Sequence, residues 1–184
     1  AQPGWRDALG ILNEQVRGCK RILDKILANA QVSVATSLQP ADRLMAEVLD
    51  EWQLLRPTAQ YQYHSDGAQP PPLVSVDATL RAALMNLLNN AADASDTPQA
   101  IEIRTHWDTA NFTLEIHDHG KGLSEEAELK AGSAFFTTKT EGHGLGLFLA
   151  NATLERMGGS VRLFNREQGG ATTEIILPIT RADI

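Results

Sequence analysis

A chain of 184 residues, 42% of them hydrophobic, holds enough material for one domain of ordinary size and a short appendage. With 23 acidic residues against 16 basic ones, a net charge of −7 and no basic cluster, it lacks the cationic face that duplex nucleic acid requires, which excludes nucleic acid as a partner. One cysteine, Cys19, excludes an intrachain disulfide and fits a reducing compartment, no stretch approaches the roughly 20 apolar residues of a membrane-spanning helix, and no signal peptide opens the chain.

The first element is a helix. Trp5, Leu9, Leu12, Val16, Cys19, Leu23, Ile26 and Ala30 recur at alternating gaps of four and three residues, a heptad seam that Ile11 and Ile22 widen. A lone helix with this stripe would expose too much apolar surface, so an intermolecular bundle is expected. The alternative is a helix packed on its own globular domain. Residues 31–39 are small and polar and read as a linker. Pro40 opens a second helix from Ala41 to about Leu55, closed by Pro57. Tyr61 and Tyr63 alternate with polar residues as in a strand, Pro70 to Pro72 turn the chain, and Leu73–Val76 is a short strand. Asp77 caps a long helix reaching about Ala94. Strands follow near Ile101–Trp107 and Phe112–Asp118. Residues 119–143, rich in glycine, charge and hydroxyls, form a long loop of the kind that usually carries function. A helix from Leu145 to about Met157 ends at Gly158–Gly159. Two strands, Ser160–Asn165 and Thr172–Leu177, surround a Gly169–Gly170 turn. Two strand pairs adjacent in sequence, among helices, predict a mixed sheet with helices on one face rather than a doubly wound parallel sheet.

Four segments carry chemistry. Leu84-Met85-Asn86-Leu87-Leu88-Asn89-Asn90-Ala91 lies on the long helix, and Asp118-His119-Gly120-Lys121-Gly122 lies at a strand end. Phe135-Phe136-Thr137-Thr138-Lys139 precedes Gly142-His143-Gly144-Leu145-Gly146-Leu147, which opens a helix. Each alone is weak. In this order and at these separations they resemble the N, G1, F and G2 boxes of the histidine-kinase branch of the Bergerat-type (GHKL) ATPases, over roughly residues 40–180.

That resemblance implies an ATP site. Asn86 and Asn90 are four apart and share a helical face, where a neutral amide oxygen suits Mg²⁺; the position of Asn90 is the family's metal ligand. For Asn86 the alternative is a helix-to-loop hydrogen bond, and Asn89, off that face, is structural or peripheral. Asp118 would accept a hydrogen bond from the adenine amino group, with Gly120 and Gly122 letting backbone approach the flat base; a simple turn is the alternative. Gly142, His143, Gly144, Leu145 and Gly146 would meet the phosphates with backbone N–H groups and a helix dipole. No GxxxxGK[ST] is present, so this is not a P-loop. Lys139 would be the cation for a phosphate oxygen, Phe135 and Phe136 would anchor the loop, and the segment between them and Gly122 would be the ATP lid. Thr172 lies where relatives place a hydroxyl near adenine, although they commonly carry one at the position of Ala171.

Gyrase-like and MutL-like hydrolases on the same fold place a glutamate four residues before the metal-binding asparagine. Here that position is Asn86, so hydrolysis should be slow and ATP kept for transfer. None of the five histidines, His64, His106, His117, His119 and His143, lies on the heptad helix. The phosphoacceptor is therefore expected on an upstream segment, and the chain reads as a fragment of a longer protein. Around Cys19, the string from Gln15 to Leu23 resembles the redox-active cysteine region of RegB-type redox-responsive kinases. Arg17, Lys20 and Arg21 would favour its thiolate; the alternative is a small apolar packing residue.

The expected architecture is an α/β sandwich: a mixed five-stranded sheet with three helices on one face, the Bergerat-type ATP-binding fold, plus an N-terminal dimerisation helix. Residues 1–36 would be the C-terminal part of the dimerisation and histidine-phosphotransfer helices, and 37–184 the ATP-binding catalytic domain. The resemblance implies a redox-responsive sensor histidine kinase using ATP and Mg²⁺, homodimeric through its N-terminal helix. It would relay phosphate to a response regulator receiver domain. The portion in hand would be the cytoplasmic part of a bacterial inner-membrane sensor, joined to the membrane only through missing upstream segments. Two other readings remain, a GHL-type ATP hydrolase and a nucleotide-free dimerisation module.

Overall fold

A computed structural model describes residues 36–95, 101–124 and 145–180. The heptad seam, Cys19, Phe135, Phe136, Lys139, Gly142, His143 and Gly144 lie outside the described residues. The elements are β1 (Ser37–Pro40), α1 (Ala41–Leu55), β2 (Tyr61–Gly67), β3 (Leu73–Val76), α2 (Ala78–Ala94), β4 (Ile101–Trp107), β5 (Asn111–His117), α3 (Leu145–Arg156), β6 (Ser160–Asn165) and β7 (Ala171–Pro178).

Five strands form one sheet in the order β2-β4-β5-β7-β6. Only β2 and β4 are parallel; the other neighbours are antiparallel. The expected mixed sheet with three helices is what the chain forms. Register makes Ile103, Ile116 and Thr173 neighbours on one face, with Thr105, Leu114 and Ile175 beside them. This face joins the apolar stripes of the helices in a single core. Helix α1 contributes Leu44, Met45, Val48, Leu49 and Trp52, and α2 contributes Leu80, Leu84, Leu87, Leu88 and Ala91. From α3 come Ala150 and Leu154. The stripes recur at three- and four-residue steps because 3.6 residues make a helical turn.

Helix α2 begins where a cap can form. Asp77 is extended (φ −135°) and its Oδ1 accepts from the Leu80 N–H at 2.8 Å. Arg156, at the C-terminus of α3, donates to Asp77 Oδ2 and Thr79 Oγ1, each at 2.6 Å. One buried carboxylate thus caps one helix and ties down the end of another.

The linker expectation fails at its C-terminal end. Ser37–Pro40 is a strand, antiparallel to β3 with Ser37 opposite Val76 and Pro40 opposite Leu73. Backbone pairing makes this two-stranded sheet, and only Gln39 in β1 is buried, so its composition carries no strand signal. Strand β5 ends one residue earlier than expected, at His117, although the Asp118 N–H still donates to the Ala171 carbonyl at 3.0 Å.

Candidate functional site

The site is built around Asp118, where the central strand β5 leaves the sheet. Its side chain turns back to the backbone: Oδ1 accepts from the Gly120 N–H at 2.9 Å and from the Ala171 N–H at 3.0 Å. Among the described residues, both side-chain bonds of Asp118 fall on Oδ1 and Oδ2 makes none. Asp118 is 6% exposed, so the carboxylate is fixed in place with one oxygen uncommitted. The Asp118 carbonyl accepts from Arg166 Nη1 at 3.1 Å.

Two glycines make this packing possible. A Cβ at Gly120 would lie 2.4 Å from the Ala94 carbonyl oxygen at the end of α2. A Cβ at Gly170, which has φ +79°, would lie 2.1 Å from the Asp118 carbonyl oxygen. The end of α2, the segment after β5 and the β6–β7 turn therefore meet with backbone against backbone. Ser95 adds a further tie: its hydroxyl donates to the Ala91 carbonyl at 3.2 Å and accepts from the His119 N–H at 3.3 Å. Gly122 runs beside Asn165, whose side chain accepts from the Leu123 N–H at 2.6 Å and donates to the Leu123 carbonyl at 3.0 Å.

On α2, Asn86 is exposed and Asn90 half-buried, one turn apart. Asn90 lies beside the start of α3: a Cβ on Gly146 would be 3.9 Å from Asn90 Nδ2. The structure thus brings Asn90 and the first turn of α3 together, and α3 packs along α2. Leu145 is the first residue of α3. Asn89 points elsewhere and accepts from Trp52 Nε1 at 3.0 Å, a structural partner for a fully buried indole.

Thr172 is placed differently from the other candidates. It pairs with His117 across β5 and β7, on the sheet face opposite the helices, and its hydroxyl is 2.8 Å from His117 Nδ1. The residue brought to Asp118 is Ala171, through its backbone N–H. Four contributors are missing from the sequence reading: the Ala171 amide, Ser95, Asn165 and Arg166. Ser95 and Asn165 do carry a signal, a hydroxyl at a predicted helix end and an amide at a predicted strand end. The Ala171 amide carries none, because every residue other than proline has one.

The family described as "Histidine kinase-, DNA gyrase B-, and HSP90-like ATPase" matches residues 75–181. The chain is 32% identical over 172 residues to the C4-dicarboxylate transport sensor protein DctB of Pseudomonas aeruginosa, covering 90% of this chain and 26% of that protein. It is 33% identical over 106 residues to the sensor histidine kinase ZraS of Escherichia coli, covering 56% of this chain and 23% of that protein. The chain thus spans about a quarter of the length of these curated relatives. Among solved structures, the nucleotide-free catalytic domain of the histidine kinase ThkA superposes with a TM-score of 0.66 at 27% identity, covering 78% of this chain and 95% of that one.

Proposed function

The chain belongs to the family of histidine kinase-, DNA gyrase B- and HSP90-like ATPases and is homologous to the catalytic domains of sensor histidine kinases, and from this premise we propose that it binds ATP with Mg²⁺ and donates the γ-phosphoryl group to a histidine outside these 184 residues. The observation that carries the proposal is the Asp118 carboxylate, fixed through Oδ1 by two backbone amides with Oδ2 left to accept. An amino group on a flat base matches that acceptor.

The remaining parts fit the same ligand. Asn90 would offer Mg²⁺ an amide oxygen, the hard neutral donor that ion accepts beside phosphate oxygens and water. Asn86, on the same face, would orient phosphate or bound water. The N-terminal end of α3 would face the phosphates with its positive dipole end, together with Gly142, His143, Gly144, Leu145 and Gly146. Lys139 would supply a cation, and Gly122 a close backbone approach. Bound magnesium would neutralise phosphate charge, so positioning and electrostatics would do most of the work in transfer.

Asn86 favours a kinase over a hydrolase. An amide cannot take a proton from water, so rapid hydrolysis lacks its general base. Residues 1–36 are proposed as the end of the dimerisation helices and 37–184 as the ATP-binding domain, with β1 already part of the folded unit from Ser37. A homodimer and a response regulator receiver domain are the partners this implies. Among the described residues no helix is long and apolar enough to cross a membrane, and a bacterial membrane sensor remains the proposed parent. The redox reading of Cys19 finds no support in these relatives.

Calorimetry with ADP and ATP, with and without Mg²⁺, tests the site. Saturable binding strengthened by the metal, with slow phosphate release, is the expected result. Brisk steady-state release by the wild type would instead favour the hydrolase, and no binding would favour a nucleotide-free module. Asn86→Glu should raise phosphate release by at least about tenfold if the missing base limits hydrolysis.

A further inference from the structure

We infer that His117 is a positioning residue for the purine cradle, and that a proton placed on its imidazole weakens nucleotide binding. The inference rests on the nucleotide reading of Asp118. His117 is the last residue of β5 and faces the side of the sheet opposite the helices, directly across from Thr172 of β7. Its Nδ1 lies 2.8 Å from Thr172 Oγ1. The adjoining pair is the cradle itself, Asp118 and Ala171, bonded N–H to carbonyl and N–H to carboxylate, both at 3.0 Å. A side-chain clamp between β5 and β7 therefore sits one residue from the carboxylate that would hold the base.

Charged groups from every neighbouring strand face this imidazole. Glu115, on its own strand, places Oε2 at 3.4 Å from Nε2. Glu102 and Arg104 face it from β4, and Glu174 from β7, with Arg162 of β6 beyond. Arg166 approaches from the β6–β7 turn. This arginine also braces the cradle, donating through Nη1 to the Asp118 carbonyl at 3.1 Å while its own N–H donates to the Gly170 carbonyl at 3.0 Å.

His117 is 9% exposed. Burial first, and the positive charge of Arg166 second, push its titration below the ordinary histidine value, against the opposing pull of Glu115. With the proton on Nε2 towards Glu115, Nδ1 accepts from the Thr172 hydroxyl. Protonation turns Nδ1 into a donor, so the Thr172 hydroxyl must find another acceptor. It also sets a second cation beside Arg166, and the repulsion falls on the group holding the Asp118 carbonyl. The bound state is therefore better matched to the neutral imidazole.

ADP affinity with Mg²⁺, measured on wild type and His117→Asn at about pH 8 and about pH 5.5, tests this. Nucleotide phosphates titrate in the same interval, so the difference between the two proteins is the readout. Wild type should lose about twofold more affinity on acidification than the variant. Equal losses in the two proteins, with saturable binding intact, would overturn the inference and leave the nucleotide site standing. Absence of saturable binding at both pH values would overturn the site and the inference together. Linkage supplies a second measurement that needs no variant: ADP should lower the pH at which the His117 imidazole titrates in NMR spectra, and an unmoved titration would overturn the inference.

Discussion

Asp118 offers a way to separate folding from the proposed recognition of a base. In Asp118→Asn the amide oxygen can take the place of Oδ1 and keep both backbone donors. The amide nitrogen then replaces Oδ2 and presents a donor where the proposed base would need an acceptor. Thermal stability should change little, while ADP affinity should fall by about 2 kcal/mol or more, roughly thirtyfold in Kd by calorimetry. Asn89 should behave in the opposite way. Asn89→Ala leaves the buried Trp52 N–H without its acceptor, which should cost about 1–3 kcal/mol in urea unfolding while ADP binding is kept. The spacing of asparagines along the helix separates these two classes beforehand: Asn86 and Asn90 share a face and Asn89 does not. What the spacing cannot supply is the partner of Asn89, since Trp52 lies 37 residues away.

At the scale of elements, Asp77 joins two helices. Burial alone would raise its carboxyl, but bonds from Thr79, the Leu80 amide and Arg156 outweigh it and hold the group below the usual carboxylate range. A carboxyl depressed in the folded state contributes stability that is present above its unfolded value and lost as pH falls through the folded value. Asp77→Asn should therefore lose stability at neutral pH and show a flatter acid limb than wild type in urea unfolding followed across pH. The neutral-pH loss should be about 2–3 kcal/mol, combining a weakened cap with a broken tie to Arg156. The capping half of this arrangement is legible in sequence, because an aspartate precedes a run with helical periodicity. The Arg156 half is not, because it depends on α3 folding back along α2 across 79 residues of chain. Strand β1 was hidden for a related reason: its partner lies in β3, and its own residues are mostly exposed.

Across the whole molecule, the mixed sheet covers its inner face with three helices and sends its central strand into the site. Strand β5 is the middle one of five, flanked by β4 and β7, and Asp118 follows its last residue. The end of α2 and the β6–β7 turn converge on the same point, which puts the proposed base acceptor and the helix carrying Asn90 in one folded unit. Such a unit suits an enzyme that holds ATP until an acceptor arrives. Its measurable counterpart is tight nucleotide binding with slow phosphate release.

The sequence by itself determined the three described helices, most described strand boundaries and the family, because helical and strand periodicities are local and the four motifs stand in order along one chain. It also pointed to Asp118, Gly120 and Asn90. Only the tertiary structure decided which oxygen of Asp118 is committed, that Ala171 reaches it through a backbone amide, and that Thr172 faces away with His117. Alternation along β7 says that residues 171 and 172 face opposite sides, but only the register with β5 says which side holds the site. Contacts of this kind arise between segments far apart in sequence, where local pattern holds no information about the partner.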